Sequence, residues 1–149
     1  MKKNQAKTPG DSKGYTYNTL KECQIGSSKL HFYAVILDAQ FPHKSFKSEK
    51  YVLSLKIADQ SCNIDRVDGT IDFCTLVLFA NKFEDLPISQ RVGDIIRVHR
   101  AGVSEFKGNK QFTANIFFNS SWAIFAPAPA HQPKEKRDVE FRPFMFFGK

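Results

Sequence analysis

The run "YVLSLKIAD" (51–59) alternates with period two. Tyr51, Leu53, Leu55 and Ile57 fall on one face, and Val52, Ser54, Lys56 and Ala58 on the other. Four further runs read as strands. "LHFYAVILDAQF" (30–41) is rich in β-branched and aromatic residues. In "DFCTLVLFA" (72–80), Cys74, Leu76 and Leu78 oppose Phe73, Thr75, Val77 and Phe79. In "GDIIRVHRAGVSEF" (93–106), Ile96 and Val98 alternate with Arg97 and His99, and Gly102 is suited to bend or bulge the strand. In "KQFTANIFF" (110–118), Phe112, Ala114 and Ile116 point inward, and Gln111, Thr113 and Asn115 outward. A chain of short strands buries its apolar faces by closing or stacking a sheet, so the class is all-β.

The connections narrow the choice. "KGN" (107–109) makes a hairpin turn between the last two strands. "NKFEDLPISQ" predicts a short helical turn, capped by Asn81 and stopped near Pro87. Five strands with a short helix between the third and fourth are the order of a five-stranded OB-fold barrel; an SH3-like barrel has no need of that helix. OB-folds bind on the face of strands two and three, between the loops after strands one and four. Both loops carry lysines here: Lys44, Lys47 and Lys50 in the first, Lys107 and Lys110 around the second.

At 149 residues the chain holds about one domain. Its net charge of +7 points weakly to a polyanionic partner. Much of that excess lies outside the strands. Residues 1–14 carry four lysines against Asp11 and read as a disordered basic arm. Residues 15–125 form the barrel and are nearly balanced in charge. Residues 126–149 begin as a Pro- and charge-rich linker and end on the apolar "FRPFMFFGK". Any anion site on the barrel is therefore a local patch. Cys23, Cys62 and Cys74 are odd in number and have no metal-like spacing; Cys74 reads as a small core residue. No signal peptide or membrane-spanning apolar run is visible, which fits a reducing, intracellular protein without a membrane partner.

A single-stranded nucleic-acid site needs cations for phosphates and exposed rings on which bases stack. Lys56, His99, Arg97 or Arg100, Lys107 and Lys110 supply charge, and Phe79 and Phe106 supply rings. Ser54, Thr75 and Gln111 can hydrogen-bond unstacked base edges. Bland alternatives stand beside these. A phenylalanine at a strand end, such as Phe79, is commonly core, although its parity sets it with Thr75. His99 reads equally as a satisfied surface histidine, and Lys56 as part of a solvated face. Trp122 and Phe125 read as core plugs. No nucleophile triad, phosphate loop or paired-histidine metal motif appears at useful spacing, so neither catalysis nor a cofactor is expected.

The stretch from Tyr15 to Phe125 resembles the first OB-fold of the telomere end-binding family, which comprises the ciliate telomere end-binding protein alpha subunit and the protection-of-telomeres proteins. "HFYAVILDAQFPHK", "YVLSLKIADQ", "TLVLFANKFEDLPI", "VGDIIRVHRA" and "QFTANIFFNSSWAIF" carry the likeness, and "FEDLPI" with "GDIIRVHR" is its most specific part. The resemblance implies a nuclear, non-enzymatic protein that binds the single-stranded G-rich telomeric overhang, with a second telomere-protein subunit as a further partner. It assigns contacts to Lys56, Phe79, His99, Arg100, Phe106 and Gln111. At Phe106 the family has a stacking tyrosine, so the ring is kept and the hydroxyl lost. Family members follow this barrel with a second OB-fold, and "RPFMFFGK" resembles the lead-in to it, which suggests an N-terminal fragment or a shortened paralogue. Two other functions remain open from the sequence. One is a protein-interaction module of a telomere or replication complex, motivated by "FRPFMFF". The other is a general single-strand or RNA binder.

Overall fold

The computed structural model describes residues 14–127. The arm at 1–13 and the chain from 128 onward, including "FRPFMFFGK", lie outside the described residues. The strands are β1 (Leu30–Ala39), β2 (His43–Lys44), β3 (Tyr51–Ala58), β4 (Cys74–Ala80), β5 (Ile95–Phe106), β6 (Asn109–Asn115) and β7 (Ser121–Phe125). The order β1-β3-β4-β6-β5 closes through a β1–β5 pairing into a five-stranded barrel. All pairs around it are antiparallel except β4–β6, which is parallel. This is the OB-fold barrel.

Alternation in the sequence becomes inside and outside. Leu53, Leu55 and Ile57 of β3, Leu76 and Leu78 of β4, Ile96 and Val98 of β5, and Phe112 and Ala114 of β6 are buried together with Phe32, Ala34 and Ile36 of β1. Phe32 and Phe112 meet across the interior with ring centroids 4.9 Å apart. Each fully buried side chain of this size contributes about 1.5–3 kcal/mol. The barrel's ends are closed by short segments. At the end where β4 begins, Leu20 is fully buried, and its backbone N–H donates to Asp59 Oδ2 at 2.8 Å. At the opposite end sits a 3-10 turn, Phe83–Asp85, followed by the buried Leu86.

Several expectations are adjusted. The turn at Phe83–Asp85 is capped at Lys82 without a side-chain bond, so Asn81 is not its cap. Instead the Asn81 side-chain oxygen accepts from Lys50 Nζ. The bulge in β5 falls at His99–Arg100 rather than at Gly102: the β1 register slips between Val98 and Ala101, and Arg100 takes φ +62°. Two strands went unread, the short β2 and β7, which pairs along the first half of β5. Trp122 packs against the core and donates to the Asp85 carbonyl at 2.7 Å, whereas Phe125 is 43% exposed and plugs nothing. Cys74 lies half-buried at the barrel's end; burial, with Cys62 nearby, pushes its thiol up to about 11. The β5–β6 hairpin turns on Lys107 and Gly108, both at positive φ, the mirror-image turn that matches strand twist.

Candidate nucleic-acid interface

Register sets outward side chains in rows across the barrel. Lys56 pairs with Thr75, Thr75 with Gln111, and Gln111 with Ser104. One step along lie Ser54, Val77 and Thr113, and beyond them Val52, Phe79 and Asn115. Neighbouring strands lie about 4.8 Å apart, so the first row is a short ladder of polar groups, and the next two mix polar groups with Val77, Phe79 and the buried Val52.

A groove of about 340 Å³ runs across this face. Ser54, Lys56, Thr75, Val77 and Gln111 form its floor. Asp38, Ala39 and Gln40, where β1 ends, wall one side; Phe106, at the tip of the β5–β6 hairpin, stands over the other. Phe106 is 56% exposed, and Lys107 Nζ lies 5.3 Å from its ring centroid. Five expected site residues therefore meet in one groove: Ser54, Lys56, Thr75, Phe106 and Gln111. Phe79 lies outside the groove but on the same face, half-buried, with Asn115 beside it.

The remaining expected residues lie elsewhere. Lys110 turns to the barrel's end, where its ammonium donates to the carbonyls of Leu20 (3.3 Å) and Lys21 (2.8 Å). His99 and Arg100 sit on the outer face of β1 and β5, under the N-terminal segment. His99 is only 7% exposed, stacks on Tyr15 at 4.0 Å, and its Nε2 shares a 2.7 Å hydrogen bond with the Tyr17 hydroxyl. The Arg100 guanidinium donates to the Asn119 carbonyl, the Tyr15 hydroxyl and Ser121 Oγ, and its backbone N–H donates to His31 Nδ1.

Other aromatic residues escaped the sequence reading. Phe73 is half-exposed, with Lys56 Nζ 4.7 Å from its ring centroid. Phe117 lies under Lys50 Nζ at 4.3 Å, next to the Phe79 row. Phe41 and Phe46 are almost wholly exposed in the lysine-bearing loop after β1. Aromatic residues among lysines in polar connections were the available signal. Among the described residues no cluster of His, Cys, Asp or Glu could hold a metal ion, and no helix is long and apolar enough to cross a membrane.

Residues 11–147 match the model of the telomeric single-stranded-DNA-binding POT1/CDC13 family. The chain belongs to this family. Its sequence is 44% identical over 143 residues to the telomere-binding protein subunit alpha of Stylonychia mytilus, covering 91% of this chain. With the subunit of the same name from Sterkiella nova it shares 45% over 129 residues, covering 84% of this chain. It spans 29% and 26% of those two relatives' lengths. In structure this POT1/CDC13 domain is similar to a protection-of-telomere protein crystallised with single-stranded DNA, with TM-score 0.59 and 14% identity over 79% of this chain and 68% of that one. Fission yeast Pot1 with single-stranded DNA gives the same TM-score at 13% identity, covering 89% of this chain and 48% of that one. At such identities the likeness is one of fold.

Proposed function

We propose that this chain binds single-stranded, G-rich telomeric DNA at the chromosome end, in the nucleus, as a non-enzymatic protein. The observation that carries the reading is the groove that gathers Ser54, Lys56, Thr75, Phe106 and Gln111 on one face of a domain of this family. A base stacks on Phe106, and others continue along the face to Phe79. Lys56 and Lys107 neutralise phosphates, and Ser54, Thr75 and Gln111 read base edges. In this reading His99 and Arg100 act chiefly by holding the N-terminal segment on the barrel, because their polar atoms already have protein partners.

A second subunit is part of the proposal. Relatives carry the name "subunit alpha". An apolar surface of Tyr33, Val35, Ile64 and Ile95, away from the groove, supports a protein contact there.

Fluorescence anisotropy with a G-rich telomeric repeat, a scrambled strand of equal composition and the matching RNA tests the main reading across salt concentrations. The expected result is preference for the DNA repeat with a shallow salt slope. Equal binding of all three with a steep slope would mean that phosphate contacts dominate and would overturn base reading by this face.

A further inference from the structure

A second pocket opens beside the groove, at the end of the barrel where β4 begins. Its volume is about 770 Å³, within the range of pockets that hold small molecules. Leu20, Ile71, Phe73 and Cys74 give it apolar walls; Asp72, Asn109 and Lys110 give it polar ones. It is continuous with the groove at two points. Thr75 lines both, and Lys56 of the groove lies against Phe73 of the pocket.

The connection between β3 and β4 that forms one wall is bonded into shape. Asp65 N–H donates to the Thr70 carbonyl (2.7 Å), and Thr70 N–H to Asp68 Oδ1 (2.8 Å). An Ile64–Ile71 bridge closes the strip, and Asp72 N–H donates to the Asn63 carbonyl at 2.8 Å. These bonds fix the Asp72 backbone. Its exposed carboxylate has no hydrogen-bond or ion-pair partner among the described residues. Lys110 lines the same pocket; its Nζ spends two donors on carbonyls, and an ammonium has three. The pocket thus offers an acceptor pair and a spare cationic donor.

We infer that this pocket takes a guanine base turned out of the strand at one end of the DNA path. The inference rests on the single-strand reading above and names the base. Guanine alone presents two adjacent donors, N1–H and the N2 amino group, with the O6 acceptor alongside. A carboxylate, which only accepts, matches the donor pair, and Lys110 matches O6. Phe73 and Ile71 supply apolar surface for the ring. Adenine and cytosine would set a ring nitrogen acceptor against Asp72, and thymine offers one donor.

The test walks a single guanine, then a single inosine, through thymidine strands about ten nucleotides long, the scale of one OB-fold site. Inosine lacks only the N2 amino group. Wild-type protein should prefer guanine about tenfold at one strand position. Asp72→Asn should abolish that preference there by weakening binding of the guanine strand, and leave other positions unchanged; binding of the all-thymidine strand should stay level or rise slightly because a negative charge is gone. The same guanine–inosine profile in Asp72→Asn as in wild type overturns the pocket alone. A wild-type chain that binds neither these strands nor the telomeric repeat overturns the interface reading and this inference with it. Asp72 is exposed, and an unchanged melting midpoint in the variant separates loss of recognition from loss of fold.

Discussion

Two faces of the barrel use the same kinds of residue for opposite ends. On the β3–β4–β6 face, Lys56 lies against the half-exposed Phe73, Phe106 stands in solvent, and the groove that Lys56 and Phe106 line is open. On the β1–β5–β7 face, Tyr15, Tyr17, His31, His99 and Arg100 form a packed aromatic and cationic cluster whose polar atoms bond within the chain. A buried polar group left unpaired costs about 1–3 kcal/mol, so the second cluster must be satisfied internally. An exposed lysine or ring keeps its solvent and can exchange it for a ligand. Partner saturation, rather than residue type, separates a structural cluster from a binding one.

Substitutions on each face can break this contrast. His99→Ala should have the largest effect, because it deletes a buried ring, its stack on Tyr15 and its bond to Tyr17. A urea melt should show a loss of about 2–3 kcal/mol, with DNA affinity unchanged under conditions where the variant is folded. Weakened binding at full stability would make that cluster part of the interface.

Phe106→Ala should do the reverse. Loss of one stacking ring costs about 1–3 kcal/mol of DNA affinity, roughly 5- to 150-fold, read by anisotropy. Stability should stay within about 0.5 kcal/mol, since the ring is largely exposed. A variant that bound unchanged would remove the hairpin tip from the site.

The cations offer a finer comparison. Lys56→Gln should lower the salt slope of single-strand binding by about 0.7. Arg100→Gln should leave that slope alone and cost about 1 kcal/mol of stability through the Asn119, Tyr15 and Ser121 bonds. Equal slope changes in both would erase the distinction between the faces.

The smallest effect belongs to neither face. The Cys74 thiol is raised from 9.0 to about 11 by burial, helped by Cys62. The unfolded chain then gives up this proton first. The thiol's contribution to stability is complete below pH 9 and is lost as pH rises through 11. Cys74→Ala should fall less steeply than wild type between those values in alkaline melts. Parallel curves would mean that the thiol is not held in its neutral form by the fold.

The five long strands and their inward faces were readable in the sequence because period-two alternation is a local property. The same parity put Ser54, Lys56, Thr75 and Gln111 on the outside. The hairpin turn at 107–109 was readable because it is chemistry of adjacent residues. What could not be read depends on distant partners. β7 became a strand by pairing with β5. His99 was removed from solvent by Tyr15 and Tyr17, more than eighty positions away. Lys110 was diverted by the carbonyls of Leu20 and Lys21, some ninety away. Phe73 met Lys56 only when β3 paired with β4. Sequence by itself determined which side chains face out. Tertiary structure decided which of those remain unclaimed, because hydrogen bonds and ring contacts between distant segments form only when the barrel closes.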